Sequence, residues 1–467
     1  MSVLSPEDRR FLKEFYRAVM DTPLAPDDPR YVPLYNANQF GVLDDDPVDL
    51  LQQTIDFTDD SVQLLAGFRG IGKSTELLRL KKNLEAVKIK VVLVDIEDYI
   101  NMSTPIDISD FLMAMTGAFG VALEQDELLG KNGLEESVWQ RFRSFLASIK
   151  VSKAALEITA KANSEINAPG IKKGAEVSAK LGLEGSLKED HTFKKQVQDH
   201  LAGHIGGLVR EVRKFFEECR KAFQKKYGDD VKIVLIVDSL EHIRGTFTNA
   251  KEVQASVENL FATRADELRI PGVHAVYTIP PFLRIRYPNL GSLYPVGAVQ
   301  MFPAIKVKDK NDKIVSGRGM DALLHLIKQR HSEASRLLSD EQYRRIIAES
   351  GGHLRDLLRI VAEVIRRTKE LPADATVVTR ALDQMRTESL PIAEKDAVWL
   401  AKIAKTHEAK LDEQDNLVHL ARFFDTGMVL SYRNGPEWYD VHPLIRGHVL
   451  KIAADVEAES QKKKASS

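Results

Sequence analysis

The segment Gly67-Phe-Arg-Gly-Ile-Gly-Lys-Ser-Thr75 constrains the fold of this chain more than any other feature of its 467 residues. It has the spacing GxxxxGK[ST], in which glycines let backbone N–H groups turn inward around a phosphate. An apolar run at residues 62–66 precedes it, and a helical pattern with Leu77, Leu80 and Leu84 follows it. Strand, loop and helix in this order predict a phosphate-binding loop at the start of a helix.

The loop also predicts the ligand. In this motif Lys73 reaches the β- and γ-phosphates of a nucleoside triphosphate, and the Ser74 hydroxyl ligates Mg²⁺. The positive end of the helix dipole adds to the attraction. The sequence has no Asn-Lys-x-Asp segment to read guanine, so we expect ATP with Mg²⁺ as cofactors. The residues expected to hold them are Gly67, Arg69, Gly70, Ile71, Gly72, Lys73, Ser74 and Thr75.

Apolar runs separated by helical patterns predict an α/β fold with a parallel sheet covered on both faces. The predicted strands are residues 62–66, 87–95, 231–238, 273–278 and 298–305. A single helix is expected over residues 249–268, where apolar residues recur on one face.

The run Ile233-Val-Leu-Ile-Val-Asp238 is an apolar strand that ends in an acid. P-loop proteins place the carboxylate of the Mg²⁺ shell at such a point, so Asp238 is the second predicted metal ligand. Many such ATPases carry another acid directly afterwards, and here that position is Ser239. Glu241 is therefore the candidate to orient the attacking water, although a surface ion pair would explain it as well.

Three further polar positions are candidates for the same chemistry. Thr278 ends the fourth predicted strand, where a polar side chain could sense the γ-phosphate. Arg284 and Arg286 follow and could act on the nucleotide of a neighbouring copy, or be solvated surface residues. Arg355, after the Gly351-Gly352 break, could swing toward the phosphates or simply begin a helix.

The C-terminal third changes character. Residues 319–392 are helical in pattern, and residues 393–455 contain two helical patterns, a hairpin around Arg433-Asn-Gly-Pro436 and a last helix. That order predicts a winged-helix domain. The lysine-rich tail, residues 456–467, is expected to be disordered.

The interval between Lys73 and Asp238 is too long for the βαβ units, which run on the order of 30 residues each. We expect an insertion at about residues 105–228. Alternation at 155–185 indicates an amphipathic hairpin or, equally, a flexible loop.

Composition narrows the class of protein. The 66 basic and 68 acidic side chains leave a formal charge of −2, which gives no reason to expect nucleic acid or a membrane surface as a partner. The one cysteine excludes an internal disulfide. No apolar run spans a bilayer, and the charged N-terminus does not resemble a signal peptide. The chain is expected to be cytoplasmic.

On these residues the chain resembles the AAA+/STAND branch of P-loop ATPases. Residues 67–75 are similar to the Walker A motif and residues 231–241 to Walker B. Thr278 falls at the sensor-1 position and Arg355 in the sensor-2 region. The resemblance implies a lead-in (1–44), an ATPase core (45–310), a helical lid (319–392) and the winged helix (393–455).

The segment Tyr439-Asp-Val-His442-Pro is similar to the Met-His-Asp motif of STAND proteins, whose histidine contacts the β-phosphate of ADP. Only His442 matches, so a structural histidine is an equal alternative. The layout, including the lead-in around residues 31–35, looks like bacterial ATP-binding proteins found beside anti-phage defence genes.

Three functions are compatible with the sequence. The first is a nucleotide-driven switch that binds and slowly hydrolyses ATP, forms homo-oligomers and acts through a protein effector. The second is a DNA-binding ATPase similar to origin-recognition or transposition proteins. The third, suggested by Ser239, is an ATP-binding scaffold that hydrolyses poorly. The acid-containing hairpin, with Glu437 and Asp440, argues against DNA.

Overall fold

A computed structural model describes the chain except for residues 1–3, 37, 38, 41, 126, 127, 130–134, 149–180, 182–186, 247, 296–298, 311–316, 411–416, 434, 466 and 467. The chain forms two compact units. One contains residues 50–66 and 80–301, and we call it the sheet unit. The other contains residues 1–49, 67–79 and 302–467, and we call it the loop unit because it includes the phosphate loop.

Five strands form one sheet in the order β2-β3-β4-β1-β5. Their bounds are β1 Ser61–Gly67, β2 Lys90–Asp95, β3 Ile233–Asp238, β4 His274–Ile279 and β5 Val299–Phe302. β4 lies between β1 and β3 and pairs in parallel with both, and β2 pairs in parallel with β3. Every residue of β3 and β4 is buried, as expected for a sheet covered on both faces. The predicted α/β fold is confirmed, and the structure adds that β4 lies between the two strands that carry the motifs.

Helices precede or separate these strands along the chain. They are α2 (Pro47–Phe57), α3 (Lys73–Ala86), α4 (Ile108–Gln125), α5 (Glu136–Ser148), α6 (His191–Leu201), α7 (Ile205–Tyr227), α8 (Ala250–Glu258) and α9 (Phe282–Arg286). The predicted insertion is helical where the structure describes it, and the predicted hairpin at 155–185 falls almost entirely outside the described residues. Phe215 of α7 packs on Trp139 of α5 with ring centroids 5.0 Å apart. Burial on α7 raises the pKa of the Cys219 thiol, which suits an unreactive core position.

In the loop unit the first helix is α1 (Pro6–Ala18). The C-terminal part contains α10 (Arg318–Arg330), α11 (Asp340–Glu349), α12 (Leu354–Arg367), α13 (Ala375–Glu388), α14 (Glu394–Thr406), α15 (Leu417–Asp425), β6 (Val429–Arg433), β7 (Glu437–Val441) and α16 (Pro443–Ala465). β6 and β7 pair antiparallel around the predicted turn. The helices at 318–388 and the helix–hairpin–helix order at 394–465 agree with the predicted elements.

The structure differs from the sequence predictions in two helices. The helix expected over 249–268 ends at Glu258 and continues as a π turn, because the Arg264 N–H bonds the Asn259 carbonyl five residues earlier, at 2.9 Å. The tail expected to be disordered is part of α16, which continues to Ala465. Its Ala, Glu, Gln and Lys residues have high helix propensity, and lysines suit the negative end of the helix dipole.

Among the helices that the structure describes, none combines the length and the apolar composition needed to cross a bilayer.

Candidate functional site

The phosphate loop leaves β1 at Gly67 and enters α3 at Lys73. Gly70 and Gly72 have φ values of 86° and 95°, the left-handed region that glycine tolerates best. The Lys73 ammonium is buried and donates hydrogen bonds to the carbonyls of Gly67 and Phe68, at 3.0 and 2.8 Å. The predicted loop geometry is thus present, with its cation held against the loop's own backbone.

The lead-in packs on the same loop. The Tyr35 hydroxyl donates to the Ile71 carbonyl at 3.1 Å, and the Leu24 N–H donates to the Thr75 hydroxyl at 3.3 Å. Ser74 lies at the start of α3 and is half-buried. Thr75 therefore anchors the lead-in, and the role of Ser74 toward Mg²⁺ stays a prediction.

The first turn of α12 holds the outer part of the loop. The Arg355 N–H donates to the Gly70 carbonyl at 2.9 Å, and His353 Nε2 lies 2.7 Å from the Arg69 carbonyl. A Cβ on Gly70 would lie 2.6 Å from Cβ of Arg355, so only glycine permits this approach. The phosphate loop is therefore bonded through its main chain to α12, the helix that carries Arg355.

The Arg355 side chain itself pairs with Asp21 of the lead-in. His442 is buried, and its Nε2 lies 3.3 Å from Oδ2 of Asp356. His353 Nδ1 lies 2.9 Å from the same oxygen. Two histidines thus share one carboxylate, and one of the two contacts the phosphate loop. The roles proposed for Arg355 and His442 toward a nucleotide remain predictions.

The carboxylate of Asp356 is stabilised by its two neighbours. Burial alone would raise its pKa, but His353 and His442 outweigh burial and hold the pKa of Asp356 well below its usual range. We call His353, Asp356 and His442 the histidine–carboxylate cluster. Sequence reasoning did not find His353 or Asp356; the available signal was an i, i+3 His–Asp pair directly after the Gly-Gly break.

In the sheet unit the predicted acidic residues follow the carboxyl ends of the strands. Asp238 ends β3, and its Oδ1 accepts the N–H of Ser239 at 2.8 Å. Ser239 has φ 70°, an uncommon backbone for a residue with a Cβ. The Thr278 hydroxyl, at the end of β4, accepts the N–H of Leu240 at 3.0 Å. Thr278 therefore holds the turn that carries Ser239 and the buried Glu241.

Asp95 and Arg286 are two further charged residues of the sheet unit. Asp95 ends β2 in register with Asp238, and the sequence motifs do not point to it. Partial burial raises the pKa of Asp95, and a hydrogen bond from Ser239 acts in the opposite direction. Arg286, the candidate finger, lies 3.5 Å from a carboxylate oxygen of Glu258 and next to Tyr287, so here it pairs within its own chain.

Replacing Gly70 by alanine should destabilise the loop unit more than the same change at Gly427, by roughly 1–3 kcal/mol. Both glycines have positive φ, so both variants carry backbone strain. Only Gly70 has neighbours within reach of a Cβ, whereas the space around Gly427 is open. Urea unfolding of both variants checks this, and equal losses would mean that α12 does not hold the loop.

Comparisons with known proteins give weak likenesses. No family model matches the chain, and no curated protein matches it. A Walker-type ATPase of Pyrococcus abyssi aligns with a TM-score of 0.42 and 12% identity, covering 91% of this chain and 100% of that chain. An ORC2 protein of Aeropyrum pernix, solved as ADPNP–ADP complexes, aligns with a TM-score of 0.41 and 9% identity, covering 96% and 98%. Cdc6p of Pyrobaculum aerophilum aligns with a TM-score of 0.36 and 11% identity, covering 97% and 99%. Likenesses at this level carry no argument about what the chain binds.

Proposed function

We propose that the protein is a nucleotide-driven switch that binds Mg-ATP and hydrolyses it. The observation that carries this proposal is the main-chain bonding of the phosphate loop to α12 through Gly70 and Arg355. A loop that reshapes around phosphates would break or tighten these bonds. Nucleotide occupancy would therefore change how firmly α12 is held.

The residues present fit an ATP site. Lys73 would exchange its two carbonyl acceptors for phosphate oxygens, which form stronger charge-assisted hydrogen bonds. Ser74 and Asp238 would hold Mg²⁺, a hard cation that in nucleotide sites needs only one or two protein oxygens beside the phosphates. Bound Mg²⁺ would neutralise phosphate charge. Glu241 or Asp95 would orient the attacking water.

The cluster gives the switch a second contact. Asp356 joins His442, from the loop after β7, to His353, which contacts the Arg69 carbonyl. Movement of the phosphate loop would thus act on the C-terminal helix–hairpin–helix segment, which we propose is a winged helix. In keeping with the family resemblance, we propose that the output is self-association and a protein effector, in bacterial anti-phage defence.

A second candidate function is DNA binding by the C-terminal segment. Its support is a cavity of about 520 Å³ along α14, lined by Lys395, Lys402 and Lys405 together with Trp399. Asp396 and Glu457 line the same cavity and weaken its attraction for phosphates. Stimulation of ATP turnover by duplex DNA would favour this function over the effector.

Addition of Mg-ATP should change amide hydrogen exchange in the first turns of α12 in the wild-type protein. The physical reason is that the Arg355 N–H bonds a carbonyl of the loop that surrounds the phosphates. Mass spectrometry of peptides covering α12 measures the change, and α4 of the sheet unit provides the comparison region. Unchanged exchange in α12 at saturating ATP would refute the switch, even if ATP binds.

A further inference from the structure

A cavity of about 480 Å³ lies between α7 and the turn that precedes β4. Its lining consists of Arg210, Arg213, Lys214, Glu217, Arg220, Pro271 and Gly272. Four basic side chains and one acidic side chain leave a formal charge of +3. This charge stands out in a chain whose total is −2.

The five lining residues of α7, four basic and one acidic, share one face of the helix because each lies three or four positions from another of them. The turn with Pro271 and Gly272 packs against the side chain of Arg220. Gly272 has φ 72°, and a Cβ there would lie 2.9 Å from Cδ of Arg220. The stem of Arg220 therefore crosses the turn directly over Gly272, and a side chain at position 272 would displace it.

The basic side chains of this cavity differ in whether a carboxylate pairs with them. Lys214 pairs with Glu211 at 2.8 Å, and Glu217 pairs with Lys221 at 3.2 Å. Arg213 donates from Nη2 to the Asp266 carbonyl, while its buried Nε has no hydrogen-bond partner.

Arg210 and Arg220 differ from these residues. In the part of the chain that the structure describes, neither forms an ion pair with a carboxylate. Among the described residues, therefore, no carboxylate pairs with the guanidinium groups of Arg210 and Arg220 in this cavity.

Guanidinium groups bind phosphates in a bidentate manner, and the volume is that of a small-molecule site. Extended nucleic acid fits less well. Glu211, Glu217 and Glu218 alternate with the basic residues along α7 and would repel a backbone that followed the helix.

The cavity is also separate from the predicted nucleotide residues of the sheet unit. Gly272 precedes the amino end of β4, whereas Thr278 lies near its carboxyl end, about 20 Å away at the usual rise per strand residue.

We propose that this cavity binds a small anion carrying several phosphate groups, at a site distinct from the phosphate loop. Inorganic tripolyphosphate is a suitable probe. Titration calorimetry is done on the full chain carrying Lys73→Ala, so that the phosphate loop does not contribute. In this background Arg220→Gln and Arg210→Gln should each weaken binding about tenfold or more.

Lys225→Gln is the matched control. Lys225 is exposed on the same helix and does not line the cavity, so its loss should leave the affinity within about twofold. Three results would overturn the proposal: no binding in the Lys73→Ala parent, an equal loss in Lys225→Gln, or tighter binding of a short DNA duplex that Arg220→Gln abolishes. The last result would assign this face to nucleic acid. Because Arg210 and Arg220 are on the surface, thermal melting should show all variants folded.

Discussion

Replacing Lys73 by alanine should abolish ATP turnover and weaken ATP binding by about 100-fold or more, since a buried ammonium that meets phosphates contributes several kcal/mol. Lys73 is the first residue of α3, and its ammonium already lies within the loop. No other lysine belongs to the motif. Turnover is measured by phosphate release and binding by calorimetry with Mg-ATP.

Lys81→Ala is the control for this change. Lys81 lies on the same helix, partly exposed, 3.8 Å from Glu85. It should bind ATP like the wild type. Because Lys73 donates to two loop carbonyls, its loss also costs roughly 1–3 kcal/mol of stability, so the folded fraction is measured alongside. A folded Lys73→Ala protein that still turns over ATP would contradict the predicted site.

The same assay distinguishes the two candidate bases. Glu241 and Asp95 both lie near the carboxyl ends of neighbouring strands, and each can be replaced by its amide. The variant that retains ATP binding but loses turnover identifies the residue that orients water. If neither does, a residue other than these two orients the water.

Asp356→Asn should destabilise the loop unit by roughly 2–4 kcal/mol, because it leaves two buried histidines without their shared carboxylate. Unfolding of the loop unit in urea can be followed separately by tryptophan fluorescence. Trp399 and Trp438 belong to the loop unit, so Trp139→Phe removes the signal of the sheet unit. Asp383→Asn is the control, since Asp383 forms an exposed pair with Arg386 on α13 and should cost less than about 1 kcal/mol.

The pH dependence of this difference follows from the lowered pKa of Asp356. A carboxyl group whose pKa is lower in the folded state stabilises that state above its unfolded pKa of about 3.9. The stabilisation is lost as the pH falls below that value. The gap between wild type and Asp356→Asn should therefore persist from pH 6 to about pH 4 and shrink below it. A gap that widened in acid would show that Asp356 is not held ionised.

Local patterns in the sequence were sufficient for the sheet and the loop. The apolar strands and the two glycines at positive φ are encoded within short windows, so residues 62–66 and 67–75 could be interpreted alone. The end of α8 at Glu258 could not be predicted in this way, because the apolar spacing over residues 249–268 is also compatible with a continuous helix.

The site residues were only partly predictable, because their partners are distant in the sequence. Arg355 was found from the Gly-Gly break, but its pairing with Asp21 joins positions 334 residues apart. Nothing near Gly70 indicates that a helix begins next to its carbonyl. Contacts of this kind depend on the tertiary fold, which a single sequence does not display.

The bond between Arg355 and Gly70 has a consequence for how this position can vary. Its donor is the peptide N–H, which every residue except proline possesses. Drift at position 355 could therefore erase the guanidinium and still preserve the attachment of α12. Position 70 has no comparable freedom, since any side chain there meets Arg355. Related chains could thus lose the side chain of Arg355 and still keep the main-chain bond between α12 and the phosphate loop.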